Sequence, residues 1–211
     1  MSIHPPFMNN PITFALGIID VQNDFFTGGA LAVPNAESII EPINQLRHSF
    51  HDMLTFFSQD YHPPNHMSFA TSTSSWPTHC VQNTHGCNLH KDIVFLETDT
   101  LFRKGTNPNV ESYSAFGAGI HEDTGLVRWL QTHQITDIII VGLATDFCVY
   151  HTVLDAHNYG FNVHVLLPCT KGVFPETTEH AIHHMRNLQH VFIYKTIDEF
   201  TIMLNKSLYT S

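Results

Sequence analysis

The chain has 211 residues, 43% of them hydrophobic and 13% charged, with a formal net charge of −10. That length supports one globular domain, residues 1–211, able to bury a full core without disulfide staples. Nine scattered Lys and Arg residues on a negative chain exclude nucleic acid and anionic membrane surfaces as partners, because both need their phosphates neutralised.

Cys80, Cys87, Cys148 and Cys169 show no C-x-x-C spacing and read as reduced thiols rather than a disulfide framework. The opening stretch "MSIHPPFMNNP" lacks the basic and apolar regions of a secretory signal. No apolar run reaches the ~18 residues of a membrane span, so the expected location is the cytoplasm.

In chain order, "ITFALGIID" (Ile12–Asp20) has the pattern of a buried strand. "AESIIEPINQLRHSF" follows with Ile39, Ile40, Ile43 and Leu46 at helical spacing. "DMLTFFSQD" is a second strand, and a third lies within "IVFLETDTLFRKG", ending near Lys104. If that strand reaches Lys104, Arg103 faces the opposite side. "EDTGLVRWLQTHQ" reads as a helix and "TDIIIVGLA" (Thr136–Ala144) as a strand. "DFCVYHTVLDAHNYG" is a helix ended by Gly160, with Val149, Val153, Leu154 and His157 on one face. "NVHVLLP" and "VFIYK" are the last strands, with the helices "PETTEHAIHHMRNLQ" and "IDEFTIMLNKS" after them. Repeated β-α alternation predicts an α/β fold of three layers, a mainly parallel six-stranded sheet between helices. Only Pro63–His90 is long and irregular, which in a compact α/β chain marks a functional segment.

In such a sheet, ligands bind beyond the carboxyl ends of the strands. The residues standing there are Asp20, then Asp60 and His62, then Lys104, and Cys148 after the strand centred on Ile138. Cys148 at a strand-to-helix turn has a helix N-terminus to lower its thiol pKa, and the same N–H groups can receive an oxyanion. A free cysteine is ordinarily an inert core residue, and Cys80, Cys87 and Cys169 lack this position. Asp20 closes an almost wholly apolar strand, a costly place for an acid unless it is paired or used; as a base it suits acyl transfer. Asp24 reads better as a turn-capping residue. Lys104 would stabilise both the carboxylate and a thiolate, although a lysine is usually a solvated surface residue. Asp60-x-His62, with His79 downstream in "SWPTHCVQ", offers one oxygen and two nitrogen ligands for Zn²⁺, Fe²⁺ or Mn²⁺. His66 is either a fourth ligand or a loop residue.

With these residues collected, the chain resembles the nicotinamidases of the isochorismatase-like cysteine hydrolase superfamily. The resemblance rests on "IIDVQNDFF", "SQDYHPPNHMSFA", "WPTHCVQNTHG", "FRKGTNPNVESYSAF" and "VGLATDFCV", in the family's order and over nearly the whole chain. It implies an Asp-Lys-Cys triad at Asp20, Lys104 and Cys148 and metal ligands at Asp60, His62 and His79, with His66 at a place where some members add a histidine. It implies Phe25, Trp76 and Tyr113 as walls of the substrate ring. A cis peptide at Ala144–Thr145 would aim the Ala144 and Cys148 N–H groups at the oxyanion. The implied reaction takes nicotinamide to nicotinate and ammonia through a Cys thioester, a step of NAD salvage, with Zn²⁺ as the leading metal. Two departures stand out: Phe147 replaces a histidine common in relatives, and "NTHGCNLH" brings in His85 and Cys87.

The alternatives are another Asp-Lys-Cys amidase acting on carbamoyl or ureido substrates, an isochorismatase acting on a vinyl ether, and a silent metal-binding scaffold. The metal and thiol residues argue against the vinyl ether, and the intact triad against the scaffold. "EHAIHHMRNLQH" (Glu179–His190) reads as a solvated helix face, with a homo-oligomer interface as the other reading.

Overall fold

The computed structural model describes residues 12–69 and 76–209, so the opening stretch read above for a signal lies outside the described residues. Six strands form one sheet: β1 (Phe14–Ile19), β2 (Leu54–Asp60), β3 (Thr100–Lys104), β4 (Asp137–Leu143), β5 (Asn162–Lys171) and β6 (Val191–Tyr194). Every neighbouring pair is parallel, in the order β3-β2-β1-β4-β5-β6. The helices are α1 (Ile40–Ser49), α2 (Leu126–Thr132), α3 (Cys148–Asn158), α4 (Pro175–Arg186) and α5 (Ile197–Tyr209).

Strands buried on both faces need helices on both, and the side chains sort accordingly. Leu16, Ile18, Ile139 and Val141 pack with Ile43 and Leu46 of α1 and Phe200 of α5. Ala15, Ile19, Ile138 and Ile140 pack with Leu126 and Leu130 of α2, Val149 and Val153 of α3, and Met185 of α4. The period-two alternation of β1 and β4 therefore feeds two cores, one on each side of the sheet. This is the three-layer α/β/α arrangement expected from the sequence.

Several boundaries differ. The third strand occupies only the last part of "IVFLETDTLFRKG"; before it Asp99 accepts from Leu96 N–H and pairs with Arg47, which fixes the approach as a turn. Strand β5 runs past "NVHVLLP" to Lys171. Its register against β4 passes from Ile140↔Val165 to Gly142↔Thr170, an irregularity that absorbs Pro168, which has no N–H for a ladder. On α3 the buried face is Val149, Thr152, Val153 and Ala156; Leu154 and His157 are half-buried. Helix α2 begins only at Leu126, after Gly125 at φ 84°, so Glu122 lies in extended chain ahead of it.

The strand order reverses between β1 and β4, the crevice where an open sheet takes its ligand. Gly142 sits at this junction. A Cβ there would stand 2.2 Å from the Ile19 carbonyl oxygen, and its φ of 109° suits glycine alone. No helix among the described residues is long and apolar enough to cross a membrane.

Candidate active site

Asp20 follows the last residue of β1 in a left-handed conformation, φ 47°, which turns its side chain back across the strand ends. Ser58, two residues before Asp60 on the same face of β2, holds it there: the hydroxyl donates to Asp20 Oδ1 at 2.6 Å, and Asp20 N–H donates to Ser58 Oγ at 3.2 Å. The other carboxylate oxygen, Oδ2, lies 3.0 Å from Lys104 Nζ and makes no well-aligned hydrogen bond among the described residues. Lys104, fully buried at the end of β3, also donates to Asp60 Oδ1, to Ser112 O at 3.1 Å and to Cys148 Sγ at 3.6 Å. Arg103 turns to the other side of β3, bonded to Gln59 and stacked over Tyr61, as the strand period requires.

The charges follow from this packing. Burial works against the Lys104 ammonium, but Asp20, Asp60 and Cys148 outweigh it and hold the proton firmly on. Burial pushes the Asp20 carboxyl above its ordinary value, Lys104 pulls it down, and Asp60 pushes it up again. Asp60 is driven far below its usual range; burial opposes this and Lys104 and His62 override it. The Cys148 thiol departs from the sequence expectation. Burial, Asp20 and Asp60 together outweigh Lys104 and push the thiol well above its ordinary pKa, despite the helix N-terminus. Cys148 thus rests as a thiol, with the Asp20 carboxylate, ion-paired to Lys104, within reach of its sulfur.

Asp20, Asp60 and Cys148 offer ligand atoms within 4.8 Å of one another, and so do Asp60, His62 and His79. His62 Nδ1 lies 2.9 Å from Gly105 O and His79 Nδ1 lies 2.7 Å from Pro77 O. A carbonyl only accepts, so both Nδ1 atoms carry hydrogen and both Nε2 atoms are left for another partner. Burial pushes the His79 ring towards its neutral, ligating form. For His62 burial acts the same way, but the Asp60 carboxylate outweighs it and raises the ring's pKa. One carboxylate and two oriented imidazoles fit a divalent cation, with positions left for water or substrate. His66 stacks on His62 at 4.1 Å between centroids, with Nε2 against Val110 O at 3.1 Å and Nδ1 accepting from Ser68 N–H at 3.2 Å. Both its nitrogens are engaged by protein, and it is not among the residues whose ligand atoms converge with those of Asp60, His62 and His79.

A cavity opens over Cys148, lined by Phe25, Trp76, Tyr113, Ala144 and the Asp60, His62 and His79 side chains. Trp76 Nε1 donates to the Tyr113 hydroxyl at 2.9 Å, tying two walls together. Leu31, Val33, Glu111, Phe147 and Val173 complete the lining; of these, sequence reasoning singled out only Phe147. Phe147 packs edge-on against Trp76 at 5.0 Å, an apolar wall where the resemblance implied a histidine. The cis peptide lies at Leu143–Ala144, one bond earlier than Ala144–Thr145. Phe147 and Val149 N–H donate to Ala144 O and Thr145 N–H to Lys171 O, while the Ala144 and Cys148 N–H groups have no protein acceptor among the described residues.

Other residues read from the sequence take supporting places. Asp24 accepts from Cys80 N–H at 2.7 Å and Ala30 N–H at 3.2 Å, a brace between loops. Cys87 donates to Asp60 O at 3.3 Å beneath the site. Burial pushes the thiols of Cys87 and Cys169 up to about 12, and that of Cys80 well up, so none of the three is activated. Gln22 was not anticipated: it donates to Asp60 O and accepts from Asp60 N–H, both at 2.8 Å, locking the ligand's backbone. Its place two residues after Asp20 was the available signal for this brace on Asp60, a candidate ligand.

The chain matches the isochorismatase domain family over residues 14–195. A nicotinamidase of Escherichia coli is 40% identical to it over 191 residues, 81% of this chain and 90% of the relative. The crystal structure of the pyrazinamidase of Pyrococcus horikoshii in complex with zinc superposes with a TM-score of 0.79 at 37% identity, covering 86% of this chain and 98% of that one. An L. infantum protein solved in complex with nicotinate superposes with a TM-score of 0.81 at 32% identity, covering 88% and 96%. The family match takes in all six strands and every residue of the site, and the chain is a member of the isochorismatase family.

Proposed function

We propose that this chain is a nicotinamidase, hydrolysing nicotinamide to nicotinate and ammonia in the cytoplasm as part of NAD salvage, with pyrazinamide as an alternative substrate. The observation that carries the reading is Lys104 Nζ standing 3.0 Å from Asp20 Oδ2 and 3.6 Å from Cys148 Sγ, beside the Asp60, His62 and His79 donors. Asp20 takes the thiol proton, and Sγ attacks the carboxamide carbon. The Ala144 and Cys148 N–H groups receive the oxyanion. Asp20 returns the proton to the departing ammonia, leaving a nicotinoyl thioester. Asp20 then deprotonates a water that attacks the thioester, and Sγ leaves with the proton regained.

Asp60, His62 and His79 would hold a divalent cation, Zn²⁺ foremost. When bound, it would supply a Lewis acid for a substrate ring nitrogen. Phe25, Trp76 and Tyr113 close around the ring. Four free thiols suit a reducing compartment, and the low share of basic residues leaves no footprint for nucleic acid.

The test is ammonia release from nicotinamide, pyrazinamide and a set of carbamoyl and ureido compounds, with elemental analysis of the same preparation. Preference for the two ring carboxamides, with about one divalent metal per chain, supports the reading. Preference for a carbamoyl substrate would move the chain to another amidase class of the family, and no turnover at all would leave a scaffold.

A further inference from the structure

Lys104, the last residue of β3, enters the site, and the segment after it passes directly under His62. Gly105, at φ 64°, gives its carbonyl to His62 Nδ1, and a Cβ at this position would stand 2.4 Å from His62 Cε1 and 2.5 Å from Nδ1. The imidazole is therefore bonded to this segment and packed against it, so the direction of its Nε2 depends on where Gly105 lies. Lys104 O accepts from Tyr61 N–H at 2.9 Å, so the same segment also fixes the chain just before His62.

This segment is held from the far side by one carboxylate. Glu122 Oε2 accepts from Gly105 N–H at 2.8 Å; Oε1 accepts from Thr106 N–H and the Thr106 hydroxyl, each at 2.7 Å, and from Asn107 N–H at 3.4 Å. Four donors on one half-buried acid, reached from 15 to 17 residues away, are more than a turn needs. Helix spacing placed Glu122 in the first turn of α2, but the structure spends it here instead.

We propose that Glu122 is a positioning residue for the metal centre, acting through Gly105 on the ring of His62. The proposal rests on the reading of Asp60, His62 and His79 as cation ligands. His79 is oriented independently by Pro77 O, so weakening Glu122 loosens one ligand of three and lowers affinity without erasing the site. Loss of an outer partner of a metal-bound histidine costs about 10–100-fold in affinity.

The test uses full-length protein stripped of metal and titrated with Co²⁺, following ligand-field absorption, alongside the thermal midpoint of the apoprotein. Glu122→Gln keeps the shape but turns an N–H donor towards one of the backbone donors it now accepts from. It is expected to bind Co²⁺ about 10–100-fold more weakly, with a shifted absorption band. Asp137→Asn, in a buried network at the other end of the sheet, is the stability control: it is expected to lower the midpoint while leaving Co²⁺ affinity at the wild-type value. Should Glu122→Gln fail to fold, Glu122→Asp, charged but shorter, carries the test with an expected loss of about 10-fold. A wild-type band and affinity in the folded Glu122 variant would overturn the proposal and leave Glu122 a loop brace. A wild-type protein that binds no Co²⁺ would overturn the metal reading itself, and the proposal with it.

Discussion

Lys104 has no solvent contact and sits among two carboxylates and a thiol. Removing one partner of such a group leaves the others as uncompensated buried charge, typically costing about 3–5 kcal/mol. Lys104→Ala is therefore expected to lose stability of that order in urea unfolding, on top of its activity. An effect below about 1 kcal/mol would mean the ammonium is not the counter-charge described. Ser58 gives a finer test, because its hydroxyl is among the contacts that hold the Asp20 carboxyl down against burial. In the proposed reaction Asp20 must be ionised to accept the thiol proton, so activity is expected to fall as pH drops through its pKa. Ser58→Ala removes a lowering contact, raises that pKa further, and is expected to move the acid limb of the kcat/KM profile to higher pH. Movement to lower pH would contradict the assignment of Asp20 as base. The ionic residues were legible in sequence because an acid, a lysine and a D-x-H pair stand out at the ends of apolar strands. Ser58 was legible only in retrospect, as the neighbour of Asp60 on the same face of β2. The resting state of Cys148 was not legible, since its surroundings come from three other strands and outweigh the helix end that the sequence does show.

At the scale of elements, two glycines decide whether the strand ends can meet. Gly142 lets β4 approach the Ile19 carbonyl just before Asp20, and Gly105 lets the chain after β3 pass under His62. Gly142→Ala and Gly105→Ala each place a Cβ at positive φ, with a backbone cost of about 1–3 kcal/mol before any clash. Both are expected to unfold at lower urea concentration than wild type, and Gly105→Ala alone is expected to weaken Co²⁺ binding as well. Equal effects on the metal from both would undo the distinction drawn between them. Strands β1, β2 and β4 followed their apolar runs closely, as fully buried parallel strands do. The far half of β5 was hidden because Pro168 reads as a breaker, and only the irregular register against β4 accommodates it. The start of α2 was misplaced because Glu122 and Asp123 look like helix-opening acids, whereas Glu122 is committed to the loop after Lys104.

Across the whole molecule, the carboxyl ends of the strands hold the proposed site and the opposite end holds a buried polar clamp. Asp137, at the start of β4, accepts from His164 Nε2 at 2.8 Å and from Asn162 at 3.2 Å, and His164 Nδ1 lies 3.0 Å from the Tyr194 hydroxyl. Burial pushes the Asp137 carboxyl up, but the bonds from His164, Thr136 and Asn162 outweigh it and hold it below its ordinary value. A carboxyl depressed in the folded state stabilises fully above its unfolded pKa of about 3.9, and that contribution disappears as pH falls through the lower folded value. The stability gap between wild type and Asp137→Asn is thus expected to be constant at neutral pH and to narrow below about pH 4. A gap that widened in acid would reverse the sign assigned here. The architecture itself was legible from β-α alternation, and the rule that ligands sit at the strand ends gathered most of the site. What it could not gather were Gln22, Glu111 and Glu122, which reach the site through backbone groups or from a loop wall; only Gln22, two residues after Asp20, left a trace in the spacing.

In the proposed reaction the sulfur of Cys148 is the nucleophile. Ammonia release from nicotinamide by Cys148→Ala, on folded and metal-loaded protein, tests it most directly. The expected result is no turnover above the uncatalysed background; a rate within about 10-fold of wild type would show that the thiol is not the nucleophile.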